Sequence, residues 1–142
     1  MNRQRLRQQL IHDEGCIDHA YTDSEGYLTI GVGRLIDRVK GGRLSEDEIE
    51  YLLENDIDKI INQAIREFAW FSDLSDVRQE VVLNMIFNLG LVGFKGFRNM
   101  IAALERHDWV DASREMLDSK WSSQVGQRAI RLSEAMRTGD WA

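Results

Sequence analysis

The 142-residue chain is 43% apolar and 30% charged, the make-up of one globular domain that buries a real core, and it carries a formal net charge of -6. That charge speaks against a nucleic-acid partner, which needs a basic stripe to displace counterions from phosphates. No apolar run approaches the roughly 18 residues of a membrane span, and no apolar stretch follows the charged residues 1–7 as it would in a signal peptide, so a soluble, cytosolic product without stable membrane association is expected. Cys16 has no second cysteine to pair with and reads as a small buried hydrophobe, His12, His19 and His107 share no metal-ligand spacing and read as surface residues, and neither metal nor cofactor is expected.

In chain order, Leu6, Leu10 and Ile11 keep helical spacing, which predicts a short helix over residues 2–13 that ends near Gly15 and leaves Glu14 at its exit. Residues 17–22 and 27–32 are rich in β-branched and aromatic side chains, and Asp23-Ser24-Glu25-Gly26 between them suits a tight turn. Gly31, Gly33, Gly41 and Gly42 then punctuate a short third strand and a loop. Ser45 and Glu48 form a capping box at the head of a helix of about twenty residues, with Glu46-Asp47-Glu48 favouring its positive end. Asp76 reads as the cap of a segment over residues 77–89 whose apolar positions leave little polar face, a helix expected to be buried all round. Helices are predicted near 97–106, 109–117 and 126–137, and Gly90, Gly93 and Gly96 read as helix termination. Trp70, Trp109, Trp121 and Trp141 are spaced for core or edge packing, not for a stacking array. With no proline and no linker-like stretch, the fold class is α+β: one bilobed domain over residues 1–142. Residues 13–56 would make a small hairpin lobe with the start of the connecting helix, residues 1–12 and 57–142 a larger helical lobe, and the active site would lie in the cleft between them.

Cleaving a glycosidic bond takes a protonated carboxyl on the leaving oxygen and a second carboxylate that serves the anomeric centre, directly or through water. Glu14 and Asp23 could be brought together by the doubling back of the hairpin, and Thr29 on the returning strand could set its hydroxyl near Asp23 and hold a water. Such a Glu needs burial to raise its pKa, whereas Asp23 in a wet turn stays ionised. Spacing alone leaves a second reading open: Asp23 as a turn residue and Glu14 as a solvated helix end.

The string Glu14-Gly15 followed by Tyr21-Thr22-Asp23-Ser24-Glu25-Gly26-Tyr27-Leu28-Thr29-Ile30-Gly31-Val32-Gly33 resembles the phage-type lysozymes, glycoside hydrolases related to bacteriophage T4 endolysin. The likeness continues through Asn84-Met85-Ile86-Phe87-Asn88-Leu89-Gly90, the loop over residues 93–99, Trp109, Ser119-Lys120-Trp121, Arg128 and Arg137-Thr138-Gly139-Asp140-Trp141, nearly the whole chain. It implies that Glu14, Asp23 and Thr29 are catalytic and that Gly33, Leu35, Phe87 and Asn88 line the substrate, with core packing the competing reading of Phe87. It makes Arg128 the arginine that pairs with the catalytic Glu, against a plain surface role. Arg34 stands where the best-known member has a histidine, so an ion pair from Arg34 to Asp56 is expected. Glu115 and Met100 replace an asparagine and a serine near the substrate, and the chain between Leu35 and Ser45 is short, which would trim the small lobe.

The implied activity is that of an endolysin: a muramidase acting on bacterial peptidoglycan with inversion, as a monomer without cofactor. It would wait in the cytoplasm of the bacterial host for a holin-type membrane protein to open the way to the wall. The rivals are a non-catalytic wall-binding module on the same fold, a lytic transglycosylase, and a helical interaction protein, which leaves the polar hairpin motif unexplained.

Overall fold

A computed structural model describes residues 1–36 and 42–141 and shows two compact units, Met1–Leu52 and Leu53–Ala142. Gly41 and the shortened part of the loop after Leu35 lie outside the described residues, as does the side chain of Leu6.

The first unit opens with helix α1, Arg3–Glu14. Asn2 caps it by accepting from the Arg5 N–H at 2.9 Å, and Gly15, at φ 80°, ends it by donating to the Ile11 carbonyl at 2.9 Å. The stop thus falls where the glycine predicted it, and Glu14 is the last helical residue. Strands β1 (Ile17–Thr22), β2 (Leu28–Gly31) and β3 (Arg34–Leu35) form an antiparallel sheet with β2 in the middle. Tyr21 faces Thr29 and Thr22 faces Leu28, but Ile17 faces Gly31, so β1 bulges between Ile17 and Tyr21. The turn closes through Gly26, whose φ of 88° suits only a residue without Cβ and whose N–H reaches the Asp23 carbonyl at 3.1 Å.

Helix α2, Glu46–Glu67, starts on the predicted capping box: the Glu48 N–H donates to Ser45 Oγ, and the Ser45 N–H donates to Glu48 Oε1 at 3.0 Å. Its later residues belong to the second unit, which continues through a 3-10 turn (Phe71–Asp73) and helices α3 (Asp76–Lys95), α4 (Arg98–Glu105), α5 (Trp109–Leu117), α6 (Lys120–Val125) and α7 (Gln127–Thr138). A mostly helical chain with one small antiparallel sheet is the expected α+β class.

Two expectations about α3 need correction. Its cap is Ser75, whose hydroxyl accepts from the Arg78 N–H, while Asp76 is the first helical residue. Nor is it buried all round: Val81, Val82, Met85, Ile86 and Phe94 are in the core, yet Phe87 is 49% exposed and Val92 86%. Counting apolar residues gives the total to be buried but not the direction each one points. At Gly90 the φ of 77° interrupts the helical path. Helix α6 lies outside the predicted helices, because six residues give too short a period to read; its one signal is Ser119, which caps it by accepting from the Ser122 N–H at 3.1 Å.

The second unit's core is contributed by α3 to α7 together with Ala64 of α2 and Phe68, Trp70, Phe71 and Leu74, and four methionines, Met85, Met100, Met116 and Met136, are fully buried in it. Rings follow one another in contact from Trp70 through Phe68, Phe94 and Phe97 to Trp121, with centroids 4.7 to 6.4 Å apart. Across this unit Arg78 of α3 reaches the end of α7. Its Nε–H donates to the Met136 carbonyl at 2.8 Å and its Nη2 to that of Arg137 at 3.3 Å, two carbonyls the helix itself leaves unbonded. The guanidinium lies 4.3 Å over the Trp109 ring, and Gly139 closes α7 with φ 81°, where any Cβ would stand 3.0 Å from Arg78 Nη1. Among the described residues no single helix is long and apolar enough to cross a membrane.

Candidate functional site

The hairpin turn is built on Asp23. Its Oδ1 accepts from the Glu25 N–H at 2.9 Å and the Tyr27 N–H at 2.8 Å, while its own N–H donates to the Tyr27 carbonyl at 2.8 Å. Thr29 is buried at the centre of the sheet, and its hydroxyl donates to that same carbonyl at 3.0 Å. The main chain of Tyr27 therefore ties Asp23 and Thr29 together. Two consequences concern what the pair can offer a ligand. With its hydrogen given to Tyr27, Thr29 Oγ1 can only accept, and Asp23 keeps its second oxygen, Oδ2, outside these turn bonds.

Glu14 ends α1 as an exposed side chain, and its carboxylate accepts no hydrogen bond among the described residues. The burial expected of a proton donor is thus not supplied here. What the side chain does touch is Gly33: an ideal Cβ built on that residue would lie 2.6 Å from Glu14 Oε2 and 3.0 Å from both its Cβ and its Cδ. Gly33 has φ 66°, in the turn between β2 and β3, and Leu35 follows on β3 as the partner of Thr29.

Within the first unit Arg34 pairs with Glu48. Glu48 sits in the first turn of α2, in the same unit as Arg34, whereas Asp56 belongs to the second unit. Glu48 is held below the usual carboxylate range, chiefly by the Ser45 N–H and hydroxyl and then by Arg34. Sequence reasoning found Glu48 as a capping residue and had no local signal for its second partner.

In the second unit, half-buried Arg128 directs its Nε–H and Nη2 to Asn84 Oδ1, at 2.9 and 2.6 Å, so Asn84 is the group that fixes its guanidinium there. Of the two readings of Phe87, core packing fails on its 49% exposure. Beside it, Asn88 Oδ1 accepts from Trp121 Nε1–H at 2.8 Å. Because an indole N–H can only donate, the amide oxygen must face it, and the amide NH2 then points away, without an acceptor among the described residues. A groove follows, lined by Leu89, Phe97, Met100, Glu115, Lys120 and Trp121. Met100, at the position of the family's serine, is fully buried. Among the described residues no cluster of His, Cys, Asp or Glu could hold a metal ion.

The sequence of the chain falls in a known family. Residues 12–136 match the family described as phage lysozyme. The chain is 28% identical to probable T4-type lysozyme 1 and 26% identical to probable T4-type lysozyme 2, both of Dictyostelium discoideum, in each case over 94% of either chain. It is also 28% identical, over 95% of its own length and 28% of the other's, to the pre-baseplate central spike protein Gp5 of Enterobacteria phage T4.

Proposed function

From the premise that the chain belongs to the phage lysozyme family, and so to glycoside hydrolases that act on peptidoglycan, we propose that it hydrolyses the β-1,4 bond between N-acetylmuramic acid and N-acetylglucosamine with inversion. The observation that carries this reading is the shared anchoring of Asp23 and Thr29 on Tyr27. A water that donates one hydrogen to Thr29 Oγ1 and the other to Asp23 Oδ2 has both hydrogens engaged and presents a lone pair to the anomeric carbon. As that oxygen bonds to carbon, Asp23 takes a proton from it. Glu14 delivers its own proton to the leaving oxygen, so the glycosidic bond breaks to an alcohol and not to an alkoxide. On this reading the bound glycan covers Glu14 and shuts water out around its carboxyl.

Gly33 and Leu35 offer a low wall to the sugar, Phe87 an exposed apolar face, and Asn88 an amide that can donate to a hydroxyl or an acetamido carbonyl. A binding module or a transglycosylase accounts for less, since neither needs a water-directing Asp and Thr together. The setting we favour is that of a monomeric endolysin made in the cytoplasm of the bacterial host, which reaches the wall once a holin-type membrane protein has opened the membrane. The phage T4 relative favours a second setting, in which a stretch like this chain is part of a larger spike protein.

The test is clearing of permeabilised Gram-negative cells by wild type beside Glu14→Gln. Clearing by wild type alone, with products bearing reducing ends, supports the proposal. Anhydro-sugar products would make the chain a transglycosylase, and no clearing by either folded protein would leave it a binding module.

A further inference from the structure

Glu14 combines an essential duty, on the function proposed above, with an absence of hydrogen-bond partners among the described residues. A side chain so placed at a helix exit would ordinarily wander among rotamers. It does lie against the bare α-carbon of Gly33, where three atoms along the Glu14 side chain, Cβ, Cδ and Oε2, all lie within 3.0 Å of the place a methyl group would occupy. A real Cβ essentially never comes as close to a neighbour as 2.6 Å, the distance to Oε2, and 3.0 Å is tight even for Cβ and Cδ, so the side chain lies along a slot that exists because residue 33 has no side chain. The φ of 66° makes the same demand from the backbone, since this left-handed region favours glycine.

We propose that Gly33 is a positioning residue for the proton donor: its missing side chain is the seat that sets where the Glu14 carboxyl stands. This refines its expected role as part of the sugar-facing wall. The inference rests on Glu14 being the acid, but the seat itself is a matter of packing and can be tested without any activity.

Two measurements on Gly33→Ala test it. The first is thermal unfolding in three backgrounds: wild type, Glu14→Gln, which keeps the shape of the side chain, and Glu14→Ala, which empties the slot. The proposal expects the loss of Tm caused by Gly33→Ala to be the same in the first two and clearly smaller in the third, where only backbone strain is left. An equal loss in all three would overturn it. The second is steady-state kinetics of Gly33→Ala with Glu14 present. Misplacing the acid should lower kcat on the order of 10²-fold with KM little changed, because an ångström of displacement is enough for such a loss. A raised KM with kcat intact would instead make Gly33 a sugar contact and overturn the positioning role. Were the wild type to show no muramidase activity, the functional reading would fail while the unfolding comparison still decided the seat.

Discussion

Asp23 holds the hairpin turn and, on the proposed mechanism, takes a proton from water, and replacing it with Asn or with Ala separates the two duties. In Asp23→Asn the amide oxygen can still accept from the Glu25 and Tyr27 N–H groups, whose bonds are 2.9 and 2.8 Å long. They change from charge-assisted to neutral, a loss of about 1 kcal/mol for bonds in a half-exposed turn. The second oxygen becomes an NH2 group, which donates where the water also needs to donate. The structure therefore predicts that Asp23→Asn stays folded, with a stability loss of about 1 kcal/mol, while turnover falls by roughly 10²- to 10⁴-fold, the range of a lost general base. Asp23→Ala removes both turn bonds and should lose about 2 kcal/mol as well as activity. The assay pairs urea unfolding of the two variants with release of reducing ends from purified wall. Near-normal turnover in Asp23→Asn would refute the reasoning and return Asp23 to the rank of a turn residue.

Phe87→Ala, which removes an exposed ring, should change stability by less than about 1 kcal/mol and raise KM for wall fragments several-fold; a large stability loss would show Phe87 to be core after all. Arg78→Ala gives up two bonds to the end of α7 and the stacking on Trp109, together about 2 to 4 kcal/mol, visible as a lower urea midpoint with the activity of the folded fraction unchanged. The Glu48 carboxyl is depressed below its model-compound value of 4.5 in the folded chain, so its contribution is complete above that pH and is lost as pH falls through the lower folded value. In Glu48→Gln the acid limb of the stability profile should be shallower below pH 4.5, and an unaltered limb would contradict the assignment.

Features set by neighbours in the chain were legible from the sequence. Gly15 ended α1, Ser45 and Glu48 opened α2, and Asp23 to Gly26 made the turn, because each acts within three or four residues of itself. The choice between Ser75 and Asp76 as the cap of α3 was not legible, since both side chains suit the role and one position decides it. Partners distant in sequence were less accessible still. Nothing near Arg34 pointed to Glu48, and nothing near Arg78 announced that it closes a helix 58 residues away. The identity of the candidate site residues came from the resemblance, and their connections from the structure. That Thr29 gives its hydrogen to Tyr27 and that Glu14 rests on Gly33 are facts of packing that no spacing encodes.

The anchoring of Asp23 and Thr29 on one residue has a mechanical consequence. Hairpin tips rock, and two groups hung from separate supports would drift apart when they do. Here the supports coincide, so motion of the tip carries both along as a common-mode displacement, and the gap proposed to receive the water is conserved to first order. The turn can thus comply with an irregular polymer without detuning the pair, whereas loosening at Tyr27 itself would detune both residues at once.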